Sequence, residues 1–122
     1  MAKRGPALTR IELLQGTLDL IVLQSLRWGP HHGYGLVQWI RANSRGVLEV
    51  DAGSLYPALH RLERQRLIKA VWELSENRQR VRVYRLTPAG RARLVEERAR
   101  WARLTAAMSD LFAPPTATPE EA

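Results

Sequence analysis

The sequence predicts a mainly α fold that carries one β-hairpin and ends in a long helix. Three observations lead there. Apolar residues recur at helical spacing in three segments before residue 67, the period switches to two between Ile68 and Leu86, and helical spacing returns after Thr87-Pro88.

The first helix is expected to begin at Thr9 to Glu12, "TRIE", which has capping-box spacing. Leu14, Leu18, Ile21, Val22 and Ser25 then form one stripe, while Leu20 and Leu23 make the opposite side apolar too. A helix apolar on both sides is one buried between other elements. Gly29-Pro30 stops it, and "HHGYGLVQWIRANS" begins a second helix with Leu36, Ile40 and Val37 facing inward. Gly46 is expected to end that helix, leaving "VLEV" as a short strand or extended connector.

In "DAGSLYPALHRLERQRLIK", residues 51 to 69, Leu55, Leu59 and Leu62 share a face with Ala58 at its edge. Pro57, His60, Arg61 and Arg64 point the other way. Ser54 reads as the N-cap, which would put Pro57 in the first turn, where no intrahelical donor is lost. Such a helix could lie in a DNA groove, with Ser54, Tyr56 and Pro57 leading and His60, Arg61 and Arg64 behind; the competing reading is a solvated basic face.

"IKAVWEL" alternates Ile68, Ala70, Trp72 and Leu74 against Lys69, Val71 and Glu73, as a strand with one buried face does. "SENRQR" is turn-like and "VRVYRL" alternates again, giving a hairpin with arginines at its tip. Thr87 caps the last helix with Pro88 at its first position, and that helix can run to about Phe112. The Pro-rich, acidic residues 113–122 are expected to be disordered.

Three helices followed by a hairpin is the order of a winged helix-turn-helix, in which the third helix enters the major groove and the hairpin tip reaches the flanking backbone. Arg78, Arg80 and Arg82 are then the wing cations. The expected organisation is a DNA-binding domain over 9–86, a dimerisation helix over 87–112 and a tail.

Composition narrows the function. The 122 residues have room for one domain with a modest core. The absence of cysteine removes disulfides, thiolate zinc sites and cysteine nucleophiles together, and no apolar run is long enough to cross a bilayer. A soluble, cytoplasmic protein is expected. The formal charge is +7, and residues 60 to 103 hold 13 Lys/Arg against 5 Asp/Glu, so the surplus is concentrated in the third helix and its successors. An anionic partner is indicated.

At this point the residues resemble a known family. "LLQGTLDLIVLQSLRWGPHHGYGLVQWI", "GSLYPALHRLERQRLI" and "RVYRLTPAGRARL" are similar to the PadR family of bacterial transcriptional regulators, over roughly residues 13 to 104. The resemblance implies a winged-helix domain, homodimerisation through the C-terminal helix and repression at a palindromic operator. A single C-terminal helix is similar to the compact branch of that family. Carried over to matching positions, it implies that Tyr34 of "HGYG" donates to a phosphate and that Ser54, Tyr56 and Pro57 lead the recognition helix. Gly35 stands where many relatives carry a larger residue.

In the last helix Leu94, Trp101 and Met108 recur every seven residues, with Leu104 and Leu111 between them, as a short heptad seam weakened by Glu97. These five residues are the expected dimer interface. Trp101 is either a core or interface residue or the wall of an effector site for a planar apolar small molecule, because two symmetry-related indoles can sandwich such a ligand.

Catalysis finds no support. His31-His32 lacks the spacing that converges on one metal ion, and no Gly-rich phosphate loop, nucleophile elbow or HExxH pattern occurs. No enzyme activity, metal or cofactor is expected. Two other classes stay open: a sequence-nonspecific, nucleoid-type DNA binder, and a protein-interaction module built on a winged-helix scaffold.

Overall fold

The structure, a computed structural model, describes residues 15–115. The chain runs α1 (Gln15–Arg27), β1 (His31–His32), α2 (Gly33–Asn43), α3 (Ala52–Arg64), β2 (Ile68–Leu74), β3 (Arg80–Leu86) and α4 (Pro88–Phe112). The Thr9–Glu12 capping box, Leu14 and residues 116–122 lie outside the described residues. The order is that of a winged helix-turn-helix with an added C-terminal helix, as the periodicity predicted.

The core gathers one face of each helix. Leu18, Val22, Leu23 and Leu26 of α1 meet Leu36 and Ile40 of α2 and Leu55, Ala58, Leu59 and Leu62 of α3. Ser25 lies buried on α1 without cost, because its Oγ donates to the Ile21 carbonyl at 2.6 Å. Leu67, Ile68, Tyr84, Leu86 and Leu94 close the other side.

The sheet has the order β1-β3-β2, all antiparallel. The two-residue strand β1 was not expected; His31 pairs with Tyr84 and His32 with Val83, so the segment leading into the second helix covers the outer edge of β3. Only the base of β2 follows the expected burial. Ile68 is buried and Ala70 partly so, but Trp72 is 55% exposed and Leu74 more so, because the hairpin projects beyond the helices that would cover them. At its tip the Arg78 N–H donates to the Ser75 carbonyl and Arg78 takes a left-handed φ of 59°, which closes the hairpin with a three-residue loop.

Helix ends differ from expectation in an instructive way. Asp51, not Ser54, is the N-cap of α3: its Oδ1 accepts from the Ser54 N–H at 2.7 Å. A carboxylate at the positive end of a helix gains from the dipole as well as from the hydrogen bond. Ser54 is thus the third helical residue and Pro57 the sixth. The donor that Pro57 lacks would have met the Gly53 carbonyl; both residues are exposed, so water can serve that carbonyl.

Both α2 and α3 terminate in Schellman motifs. In α2 the Gly46 N–H donates to Arg41 O and the Arg45 N–H to Ala42 O; in α3 the Leu67 N–H donates to Leu62 O and the Arg66 N–H to Glu63 O. The left-handed residue is an arginine in each case, Arg45 at φ 57° and Arg66 at φ 60°. Gly46, expected to be the stop, is the following residue, at φ 76°. Buried Leu62 and Leu67 supply the apolar contact that accompanies the second motif.

Thr87 and Pro88 behave as expected. The Thr87 Oγ1 accepts from the Gly90 N–H at 3.0 Å and donates to the Arg66 carbonyl at 2.7 Å, tying the start of α4 to the end of α3. Gly90 permits that approach, since a Cβ there would stand 1.9 Å from the Leu67 carbonyl oxygen.

Replacing Arg66 with glycine removes the left-handed strain while giving the unfolded chain more freedom. The net expectation for Arg66→Gly is a gain of up to about 1 kcal/mol, read as a raised urea midpoint with unchanged slope.

Candidate nucleic-acid interface

One side of α3 is left uncovered. Counting 100° per residue, Leu55, Leu59 and Leu62 point into the core, and Pro57, His60 and Arg64 point away from it. These three are exposed. The start of α2 and the inner face of the β2-β3 wing stand beside them, enclosing an open cleft of about 630 Å³. Its walls include Tyr34 and Gln38 of α2, Tyr56 and His60 of α3, and Trp72 and Arg80 of the wing, with no carboxylate among the lining residues.

The helix α2 is set against α3 by a glycine. Tyr56 lies across Gly33 so closely that a Cβ there would meet the phenol oxygen at 2.4 Å. Tyr56 therefore splits its surface between packing and the cleft. Tyr34, one residue on, is 65% exposed and stands on the wall of the cleft. His32 caps α2: its Nδ1 accepts from the Gly35 N–H at 3.0 Å. Gly35 also fits this cap, since a side chain there would begin 3.2 Å from the His32 ring.

On the wing, Arg78 is exposed at the tip and Arg80 stacks over the Trp72 ring at 5.0 Å. Trp72, read from the sequence as a core residue, is the shelf on which the wing cations rest. The cross-strand pairing of Trp72 with Arg82 was the signal for it, and strand alternation alone could not show where the core ends.

Three expected contact residues are placed otherwise. Arg61 turns to the flank of α3 and forms an ion pair with Asp19 of α1, both side chains about a quarter exposed. Arg82 forms a 2.7 Å ion pair with Glu63 of α3, its guanidinium 5.8 Å from the Tyr84 ring. The Ser54 Oγ is buried and has no hydrogen-bond partner. Arg61 and the Ser54 Oγ therefore face protein, while Arg82, its side chain about a third exposed, borders the cleft in its pair with Glu63. The sequence placed Arg61 on the outer face because it counted turns without knowing that Asp19 stood beside that flank.

The expected dimer seam divides as well. Leu94 is 3% exposed and belongs to the chain's own core. Trp101, at 44%, and Leu104, Met108 and Leu111 are exposed. Trp101 also borders an apolar groove of about 520 Å³ with Leu20 and Ile21 of α1 and Trp39 and Ile40 of α2. Among the described residues no group of three His, Cys, Asp or Glu could hold a metal, and no helix is long and apolar enough to cross a membrane.

A three-helix core with a wing, opening a carboxylate-free cleft beside the exposed face of its third helix, defines a winged-helix regulator. Comparison with known proteins makes the class specific. Residues 22–96 match the transcriptional regulator PadR-like family, and the chain belongs to that family. It is 48% identical over 87 residues to the transcriptional regulator Rv3488 of Mycobacterium tuberculosis, an alignment covering 71% of this chain and 78% of the relative. A PadR family regulator from Eggerthella lenta matches with a TM-score of 0.71 and 32% identity, over 86% of this chain and 89% of the other. A transcriptional regulator from Clostridium thermocellum matches with a TM-score of 0.71 and 29% identity, over 82% and 96%. The family is one of transcriptional regulators and not of enzymes, and membership implies DNA binding.

Two titrations follow from the packing. Burial raises the Tyr84 phenol, against a smaller opposing effect of Arg82, so it stays protonated. Burial, then the neighbouring His32, lowers His31 below its ordinary value of 6.5. The unfolded chain takes up a proton at His31 as pH falls through 6.5 while the folded chain resists, so this stabilisation is present above that pH and is lost as pH falls through the lower folded value. Stability should decline below about pH 6.5, and His31→Phe, which keeps a ring beside Trp39, should flatten that decline in denaturant titrations at several pH values.

Proposed function

We propose that the chain is a sequence-specific DNA-binding regulator, acting as a repressor, that binds an inverted-repeat operator as a homodimer. The observation that carries this reading is the cleft: a recognition helix with Pro57, His60 and Arg64 exposed, flanked by Tyr34 and by Arg78 and Arg80 of the wing, with no lining carboxylate. Donors near a groove-reading helix specify bases, and cations on the rim hold phosphates. In this reading His60 and Arg64 address the major groove, Tyr34 donates to a phosphate, and Arg78 and Arg80 meet the flanking backbone. Tyr56 and Pro57 shape the leading edge.

The deciding experiment is fluorescence anisotropy against the chain's own upstream DNA and a scrambled duplex at about 150 mM salt. A specific regulator prefers the first by about a thousandfold. Equal weak binding there and in selection from a random pool would leave a nonspecific binder. Arg78→Ala and Arg80→Ala should each lower the slope of log affinity against log salt by about 1.8, two phosphate contacts per dimer at about 0.9 each.

The dimer reading is supported by the exposed Trp101, Leu104, Met108 and Leu111 stripe on α4, a surface that water covers poorly. A two-fold dimer would set half-site centres roughly 10 bp apart. The groove beside Trp101 supports a planar apolar effector that releases the DNA. Both are read in one protein with Trp28, Trp39 and Trp72 replaced by phenylalanine. It should sediment as a dimer at micromolar concentration, and Trp101 emission should respond to a planar cation or phenolic acid. Leu104→Glu should abolish both responses.

A further inference from the structure

Two arginine–carboxylate pairs flank the recognition helix on opposite sides. On the helical wheel Arg61 lies on one flank of α3 with Ser54, and Glu63 lies on the other with Tyr56. Arg61 reaches to Asp19 on α1, while Glu63 accepts from Arg82 on β3. In both arginines the Nε is buried without a partner, while the side chains keep about a quarter and a third of their surface exposed and end on their carboxylates. No other ion pair among the described residues joins α3 to a neighbouring element.

The apolar face of α3 cannot do the same work. Leu55, Leu59 and Leu62 hold the helix against the core but tolerate a small roll, because dispersion contacts are not directional. Charge-assisted hydrogen bonds are directional. A roll of about 20° at a helix surface radius of about 5 Å moves a side-chain tip by about 2 Å, which is more than a base-edge hydrogen bond survives. We propose that Asp19 and Glu63 are positioning residues for DNA recognition: paired with Arg61 and Arg82, they fix the roll of α3, so that base discrimination by the His60 and Arg64 face depends on them. This rests on the sequence-specific reading above.

A competing account makes Arg61 and Arg82 phosphate contacts that the carboxylates merely mask. The two accounts predict opposite results. Wild type, Asp19→Asn and Glu63→Gln are titrated by anisotropy with a duplex selected from a random pool and with its scrambled counterpart, across a salt series. If the carboxylates position α3, each variant loses about tenfold or more of its preference for the selected duplex, while scrambled-duplex affinity and salt slope stay as in wild type. Exchanging the pair as Asp19→Arg with Arg61→Asp restores part of the preference. If the arginines are masked phosphate contacts, freeing one per protomer strengthens binding to both duplexes and steepens the slope by about 1.8 for the dimer, about 0.9 per contact, which overturns the proposal. Preference retained in both variants overturns it equally. A wild-type chain that selects nothing from the pool overturns the reading beneath it, a failure distinct from that of the variants. Should Asp19→Asn fail to fold, as far-UV circular dichroism will show, Glu63→Gln and the exchanged pair decide the question.

Discussion

The inner face of α3 is the constraint on which the rest of the molecule is arranged. Leu55, Ala58, Leu59 and Leu62 are all but completely buried, and α1, α2 and β2 each pack against this helix. A domain of this size has one core, and α3 runs through it. Among the described residues its outer face is left bare, since the elements that pack on this helix are spent on the inner one. The same helix that stabilises the fold must present whatever the fold recognises.

Charge is divided along the same line. Arg41, Arg61, Arg82, Arg85, Arg93 and Arg100 each meet a carboxylate of the chain, whereas Arg64, Arg78 and Arg80 form no ion pair among the described residues. The surplus positive charge of the sequence does not say where the unpaired cations stand, and the local arrangement is the better guide. Arg80 and Arg82 show how finely this is drawn. They stand two residues apart on one strand face and share the Trp72 ring, yet one ends in solvent and the other in Glu63.

Much of the architecture was legible because it depends on local pattern. The three helices, the hairpin, the Thr87 cap and the length of α4 follow from periodicity and from residues adjacent in sequence. Strand β1 was not legible, because two histidines carry no alternation and are extended only by their pairing with Tyr84 and Val83. Asp51 and Ser54 are both good caps, and sequence order alone does not choose between them; the connector from Val47 to Val50 determines where the chain turns. Helical and strand geometry led to His60, Arg64, Arg78 and Arg80 and the family resemblance to Tyr34, and all five are exposed. The ion pairs of Arg61 and Arg82 were not legible because their partners lie 42 and 19 residues away, and a wheel drawn for one element cannot include another.

The last helix makes the same point about distance. Leu94 and Trp101 are equivalent in a heptad, and nothing in that pattern separates them. Yet α4 leaves the domain between them: Leu94 is in the core, and every residue from Arg98 to Phe112 is exposed. A helix of 25 residues extends about 37 Å, further than a domain this small can cover. Helices standing in water are marginal when their apolar side chains find no neighbour. The outer half of α4 carries Trp101, Leu104, Met108 and Leu111 along one stripe, so its length and its pattern both call for a second surface. That surface must also reach the groove beside Leu20 and Ile21 of α1, because Trp101 borders both. Whatever covers α4 therefore bears on α1, and through Asp19 on the flank of α3.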